Sequence, residues 1–378
     1  MKIQQQFWPV SGGGPLKLDT GPNGKAQLAL VFGGRGILEN PETFRQLRVL
    51  YPSAILFGCS TAGEIGGTRL SDDSLVVTAI EFSATRLKGV LVEIKDSTSS
   101  FACGAQLAES LPKEELVHVL VLSDGTLVNG SELLRGILSK LPPSVQVTGG
   151  LSGDGAQFKK TLVFLDTPAK QGCIAALGFY GSKLKVGYGS LGGWDPYGPE
   201  RIVTRSKANI LYELDGQEAL TLYKKYLGKH ASGLPATALL FPLNIRTKDG
   251  REFVRTVLSV NEADKSLTFA GNLPQESYAR FMKANFDRLV DGALGAARIS
   301  NTALGQTAEL GILISCVGRK LVLQQRTEEE LEAVREVLGA SAVLTGFYSY
   351  GEICPVAPNA NCELHNQTMT VTTFSETA

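Results

Sequence analysis

The chain has 378 residues, with 37 basic and 37 acidic side chains, a formal net charge of zero and 43% hydrophobic residues. That length allows two or three domains around a large core, and the balanced charge leaves no electrostatic footprint for nucleic acid or for an anionic membrane surface. No apolar run reaches the length of a membrane span, and the opening MKIQQQFWPVSGGG lacks the apolar stretch of a signal peptide, so the expected location is the cytoplasm.

Residues 1–24, rich in Gly, Pro and Gln, read as a flexible lead-in. A strand over 27–32 then ends at Gly33-Gly34, and a helix over 41–51 sets Phe44, Leu47 and Leu50 on one face. A buried strand over 54–57 comes next, with further strands over 74–82 and 87–94. The rhythm repeats. A helix over 103–111 precedes a strand over 117–122 that ends at Ser123-Asp124-Gly125. Next come a helix over 131–141, with Ser131 as N-cap, and strands over 145–148, 161–165, 172–180 and 184–191. Residues 27–94 and 117–191 thus read as two copies of one strand–helix–strand–strand–strand unit.

A turn-rich junction, Gly-Gly-Trp-Asp-Pro-Tyr-Gly-Pro, occupies 192–199. Beyond it the pattern predicts a helix over 208–227 with a turn at Asp215-Gly216, and strands over 238–241, 252–260 and 266–270. A helix over 278–298 and a strand over 309–316 come after these. Thr327 and Glu330 form a capping box for a helix over 327–338, and strands cover 342–345 and 369–374. Strands outnumber helices, and many neighbours are joined by short turns. The predicted class is therefore α/β, with layered mixed or antiparallel sheets, outer helices, internal pseudo-repeats and two halves, 25–199 and 200–378.

One frame occurs twice. Gly58-Cys-Ser-Thr-Ala-Gly-Glu-Ile65 and Gly346-Phe-Tyr-Ser-Tyr-Gly-Glu-Ile353 both read Gly-x4-Gly-Glu-Ile after a strand, and Gly149-Gly-Leu-Ser-Gly-Asp-Gly155 is a looser relative. Glycines at such spacing serve a tight turn or the close approach of backbone to a ligand, and both readings stay open here. A phosphate loop carries lysine where these frames carry glutamate, which argues against ATP or GTP. Gly149–Gly153 also has the wrong spacing for a nucleophile elbow.

The six cysteines are scattered and read as reduced thiols. Cys59 and Cys316 lie where a strand meets a glycine loop. Cys316-Val-Gly-Arg319 sets a thiol near a guanidinium, which lowers a thiol pKa, although the simpler reading of each cysteine is a small buried hydrophobe. Arg319 suits a bidentate carboxylate clamp or a surface charge. His118 interrupts a strand, and His230 sits in a loop. Cys354, Cys362 and His365 lack the paired spacing of a structural zinc site. His365 remains open as an axial haem ligand or as a hydrogen-bonded loop residue. No histidine–carboxylate pair recurs, which favours a binding protein over an enzyme; the enzymatic alternative uses Cys316 as nucleophile.

Taken together, these motifs resemble the FIST sensory-domain family over nearly the whole chain. Phe57-Gly-Cys-Ser-Thr-Ala-Gly-Glu-Ile65 is similar to the N-terminal half of that family. Tyr212-Glu-Leu-Asp-Gly216, Phe241-Pro-Leu243, Ser315-Cys-Val-Gly-Arg319, Gly346-Phe-Tyr-Ser-Tyr-Gly-Glu-Ile353 and His365-Asn-Gln-Thr368 are similar to the C-terminal half. Residues 1–24 fall outside the pattern. The resemblance implies a non-enzymatic sensory module for a small molecule, with amino acids a proposed class. Signalling would pass through a separate partner, such as a sensor histidine kinase or a cyclic-di-GMP enzyme. Some stand-alone bacterial members are haem proteins that sense nitric oxide; on that basis His365 is the first candidate iron ligand and His118 the second. The expected pocket lies where the frames converge. Gly58, Cys59, Ser60, Thr61 and Glu64 would line one side, and Cys316, Arg319, Tyr348, Tyr350 and Glu352 the other, with His365 and Asn366 nearby. Ligand binding would shift the halves across 192–199. A ligand-free interaction scaffold is the remaining alternative.

Overall fold

A computed structural model describes residues 1–9, 25–355, 360 and 362–377. Three sheets of closely related topology form its main body. In each, two parallel strands joined by helices lie beside an antiparallel strand. The parallel pairs are Leu28–Gly33 with Ile55–Ser60, Leu116–Ser123 with Gln146–Leu151, and Leu310–Cys316 with Val343–Ser349. Their antiparallel neighbours are Ser74–Glu81, Cys173–Tyr180 and Met369–Glu376. The two units expected from the sequence are therefore joined by a third, completed near the C-terminal end.

The units exchange strands in a cycle. After its second parallel strand, the first unit sends the hairpin Glu64–Gly66/Arg69–Ser71 into the third sheet. The second unit sends Val163–Leu165 into the first sheet. The third sends Gly351–Pro355 and Cys362–His365 into the second. Strand Leu184–Leu191 also joins the third sheet, against Met369–Glu376. The second and third sheets thus take strands from both sides of residue 199.

Period-two alternation explains how the sheets meet. Leu28, Leu30, Phe32, Phe57 and Cys59 point inward from the first sheet. There they meet Leu120, Leu122 and Leu177 of the second and Ile312, Ile314, Phe347 and Phe374 of the third. The intervening Ala29, Val31 and Leu56 face the helical layer. Because both faces are covered, these strands read as continuous apolar runs.

Residues Asp195–Lys283 form a second body with its own apolar cluster, built around Val203, Leu211, Tyr223, Leu243, Phe269 and Phe281. Its sheet runs in the order Glu252–Arg255, Leu243–Arg246, Tyr278–Lys283, Asp195–Lys207, Ile210–Leu214, Ser266–Phe269, Val257–Asn261. The two end strands are consecutive pieces of chain separated by Thr256 alone, so the sheet curls towards a barrel. Helix Ala219–Leu227 packs on this cluster.

Several elements differ from the sequence reading. The residue 208–227 segment divides into strand Ile210–Leu214, a turn, and helix Ala219–Leu227, because Asp215 and Gly216 both adopt positive φ. Over 278–298, Tyr278–Lys283 is a strand and the helix starts only at Phe286, capped by Asn285. Residues Ala236–Leu240 form a 3-10 turn, and Val317–Leu323 is a short helix absent from the sequence reading. Asn129, rather than Ser131, caps Gly130–Leu138. Glu330 turns inward instead of closing a capping box. Within the lead-in, Lys2–Pro9 is a strand paired with Ser74–Glu81; residues 10–24 lie outside the described part. Among the described residues no helix is long and apolar enough to cross a membrane.

Candidate functional site

The three glycine frames meet in one place. Parallel pairing sets Gly58 opposite Val31, Gly149 opposite Val121 and Gly346 opposite Leu313, so the three glycines are equivalent. At each, a Cβ would be driven into the carbonyl oxygen of that partner. The first glycine of the frame is thus required by close approach of two strands within the protein.

Past these glycines the backbones bond in a cycle. Ala62 N donates to Tyr348 O (2.8 Å), Gly153 N to Ser60 O (2.9 Å) and Tyr350 N to Leu151 O (3.0 Å). Tyr348 N also donates to Gly63 O (2.8 Å). The loops of the first and second halves do converge, with the looser Gly149 frame completing the ring.

The two glutamates have matching partners. Glu64 accepts from the Thr61 hydroxyl and, at Oε2, from Ser74 N (2.9 Å) and Ser74 Oγ (2.7 Å). Glu352 accepts from Ser349 Oγ (2.7 Å), Thr368 N (3.2 Å) and Thr368 Oγ1 (3.0 Å). Glu64 lies in the third sheet and Ser74 in the first; Glu352 lies in the second and Thr368 directly precedes strand Met369–Glu376 of the third. Each carboxyl therefore staples two sheets. Burial pushes Glu64 up to about 7 and Glu352 up to about 8, against the opposing effect of their hydrogen bonds.

In the second frame Gly155 replaces the glutamate, and Asp154 takes a different role. Its buried carboxylate accepts from the Tyr350 hydroxyl, Arg35 Nη1 (3.0 Å), Lys159 N (3.2 Å) and Lys160 N (3.0 Å). The adjoining strap carries Phe158, 44% exposed at φ +54°, with its ring stacked on Tyr350 at 4.4 Å.

Arg319 is fully buried. Its Nε donates to Glu330 Oε2 (3.0 Å), and Nη2 to Glu330 Oε2 (2.8 Å) and Leu289 O (2.6 Å). Nη1 donates to Gly192 O and, at 3.5 Å, to Gln367 O. All five N–H groups thus have protein acceptors, which leaves none for a ligand carboxylate. Glu330 Oε1 accepts from Tyr348 Oη (2.6 Å) and Ser315 Oγ (3.0 Å).

These contacts lie within the main body, beside its seam with the barrel, which the neighbouring Gln367 reaches. Trp194 Nε1 donates to Gln367 O (2.8 Å) and Gln367 Nε2 to Leu239 O (3.4 Å). Trp194, Met282, Leu289, Val322 and Leu323 form a small apolar cluster beside them. Asn366 is buried on the same turn.

The remaining sequence candidates are enclosed. Cys59 is a fully buried core residue, and Ser60 Oγ donates to Gly153 O (2.7 Å) while accepting from Leu162 N (2.8 Å). Burial pushes the Cys316 thiol well up, aided by the nearby Glu352 charge, and outweighs the Arg319 guanidinium. All six cysteines are reduced. His365 is 2% exposed, with Nε2 2.8 Å from Cys354 O, and burial depresses it to about 4. His118 packs between Phe179 and Phe374 with Nε2 on Thr148 Oγ1 (2.9 Å), and burial depresses it to about 3. Both imidazoles are thus buried with Nε2 already engaged by a protein oxygen. A cavity of about 570 Å³ lies elsewhere, lined by Ile3, Gln306, Glu309, Val343 and Glu376 among others, and contains none of the sequence candidates. Among the described residues no group of His, Cys, Asp and Glu is arranged to hold a metal ion.

Sequence reasoning missed Ser74, Thr368, Asp154, Glu330, Trp194 and Gln367. The staple partners stand 10 residues after Glu64 and 16 after Glu352, so no fixed spacing marks them.

A model of the FIST N domain matches residues 27–217, and a model of the FIST C domain matches residues 219–355. An uncharacterised protein of Methanocaldococcus jannaschii is 23% identical over 300 residues, covering 71% of this chain and 56% of the relative. The chain therefore spans about half the length of that curated relative. Over 100% of this chain and 99% of the other, the crystal structure of a cyanuric acid hydrolase from A. caulinodans aligns with a TM-score of 0.37 at 9% identity.

Proposed function

The chain belongs to the FIST family, and from that premise we propose that it senses a small molecule at the seam between its three-unit body and its barrel. FIST domains are in general sensory domains for small ligands. The observation that carries the reading is the make-up of the seam. The barrel has an apolar cluster of its own, and polar contacts tie it to the main body: Gln367 Nε2 donates to Leu239 O, Arg255 Nη1 to Leu364 O (2.8 Å) and Asn272 Nδ2 to Glu132 Oε1 (2.9 Å). Two bodies joined by a polar, reorganisable contact can adopt two relative positions, and a ligand with unequal affinity for them shifts the balance. A separate protein partner, of the sensor histidine kinase or cyclic-di-GMP enzyme class, would read the shift.

Two finer versions of the ligand differ in their demands. For an amino acid, Arg319 would have to release Glu330 or a carbonyl before holding a carboxylate. For haem and nitric oxide sensing, His365 would have to leave Cys354 O; the residues do not fit that group as arranged. We therefore propose a sensor that acts without a haem step and without catalysis. Small-angle scattering of the protein across a metabolite panel tests the reading: at least one compound should change the profile. Identical profiles throughout would overturn it. A Soret band in protein purified with haem supplied would overturn the haem-free version.

A further inference from the structure

Of the two buried frame glutamates, Glu352 holds the turn that touches the barrel. It is fully buried, and its hydrogen-bond donors among the described residues are all neutral: Ser349 Oγ (2.7 Å), Thr368 N (3.2 Å) and Thr368 Oγ1 (3.0 Å). A buried carboxyl held only by neutral donors is favoured as the neutral acid, because a buried charge loses its hydration. The neutral acid fits these partners. Its O–H can face Ser349 Oγ, a hydroxyl that also accepts, while Oε2 goes on accepting from Thr368 N. The surroundings add little opposite charge. Cys316, at the end of strand Leu310–Cys316, is a neutral buried thiol. Arg319, on helix Val317–Leu323, is a cation whose field reaches Glu352, but Glu330 pairs with it at 2.8 Å. His365 stands opposite Glu352 on the neighbouring strand and is neutral, and the Arg255 guanidinium bonds the adjacent Leu364 O. On its other side Glu352 faces Gly150.

The turn held by Glu352 is bonded on both sides. Thr368 O accepts from Cys316 N (3.1 Å). Gln367, at φ +63°, accepts at its carbonyl from Trp194 Nε1 (2.8 Å) and donates through Nε2 to Leu239 O (3.4 Å). Trp194 directly precedes the first barrel strand, Asp195–Lys207, and Leu239 belongs to the barrel. Glu352 therefore grips from the body side the same turn that the barrel meets on the other.

We propose that Glu352 is a proton-operated latch: as a neutral acid it holds the turn over residues 365–368 closed, and loss of its proton favours release of that turn and of its contact with the barrel. The consequence for the barrel rests on the sensory reading of the seam. An opened turn lets water reach the carboxyl, so opening is linked to release of its proton. His365 lies on the same turn and acts oppositely, being neutral when buried and taking up a proton when water reaches it. Between the ordinary carboxyl value of 4.5 and the ordinary imidazole value of 6.5 the two effects cancel. Above 6.5 Glu352 acts alone, until the closed form itself loses the proton near pH 8. Opening should therefore rise about tenfold per pH unit across that window, roughly thirtyfold in all, and then level off.

Amide hydrogen exchange of the whole protein from about pH 5 to 9, corrected for the intrinsic rate, tests the latch. It reads opening at Thr368 N, which donates to Glu352, and at Cys316 N, which donates to Thr368 O. Both should open at least about tenfold more often than amides inside strands Leu116–Ser123 and Leu243–Arg246, which report global unfolding. Their opening should also rise with pH as derived. In Glu352→Gln the rise should vanish, leaving only the fall towards pH 6.5 that His365 produces. If that variant does not fold, Ser349→Ala removes a bond that lowers the Glu352 value, so its rise should run beyond pH 8. A level wild-type profile between pH 6.5 and 8 overturns the proposal. So does an equal rise in folded Glu352→Gln, an unmoved plateau in Ser349→Ala, or opening no more frequent than in the two strands. A scattering response to a metabolite in protein that lacks the rise would remove the latch alone. The rise without any such response would remove the sensory reading alone.

Discussion

The first and third glycine frames differ from the second in the residues beyond their shared glycine. In the first and third, a buried glutamate staples two sheets through a hydroxyl three residues before it and a Ser or Thr far beyond it. In the second, Asp154 gathers Tyr350, Arg35 and the strap that bears Phe158. The common part of the repeated motif is thus its structural device, and the divergent copy is where polar and aromatic groups reach the surface. Repetition marks what the architecture needs at every unit, and departure from it marks where one unit does something else.

The largest expected effect tests whether the shared part is one device. Gly58→Ala, Gly149→Ala and Gly346→Ala should each destabilise by roughly 4 kcal/mol or more, since each Cβ meets backbone that cannot yield. Urea denaturation would read this, and a mild effect at Gly149 alone would make the second frame different from its first residue onward. Next, Arg319→Met tests what only the third unit has. It strands Glu330 in the interior and should cost about 3–5 kcal/mol, with part of the loss recovered by adding Glu330→Leu. Full loss in the double variant would show that the seam carbonyls, rather than the ion pair, depend on Arg319.

Smaller again is Tyr350→Phe, which removes the hydroxyl from Asp154 and should cost about 1–3 kcal/mol. It should also free the Asp154–Phe158 strap, seen as faster amide hydrogen exchange there and not at Ser74 or Thr368. The smallest effect is on pH dependence. An acid whose folded pKa is raised binds more protons folded than unfolded. Its contribution is complete below the ordinary carboxyl range near 4.5 and is lost as pH rises through about 8 for Glu352 and about 7 for Glu64. The neutral buried His118 and His365 act oppositely, their contribution being lost as pH falls below 6.5. Stability should therefore decline between pH 6.5 and 8, and Glu352→Gln should flatten that decline more than Glu64→Gln. An unchanged slope in both variants would assign it to other groups.

Much of the body is legible in the chain. The apolar strands over 27–32, 117–122 and 309–316 and the first two repeats come from local pattern. The third repeat is hidden, because Leu184–Leu191 and Met369–Glu376 are separated in sequence by the barrel and most of the third unit. The barrel is the least legible part. Strand Tyr278–Lys283 and helix Phe286–Leu304 lie almost end to end, and their apolar residues merge into one apparent helical period. Among site residues, local pattern marks Glu64 and Glu352 as ligand groups, while the structure gives them matching roles at two sheet junctions. It marks Arg319 for a ligand carboxylate, while Glu330, eleven residues on, already holds it.

Strand periodicity, the positions of the sharp glycines and family membership are properties of the chain alone, because they depend on neighbours a few residues apart or on motif order. Which charges are spent and which are spare depends on the assembled fold. A carboxylate, guanidinium or amide is satisfied by whatever group faces it, and here that group comes from a part of the chain that only folding brings near. Glu352 relies on Thr368, Arg319 on Gly192 and Leu289, and Gln367 on Leu239.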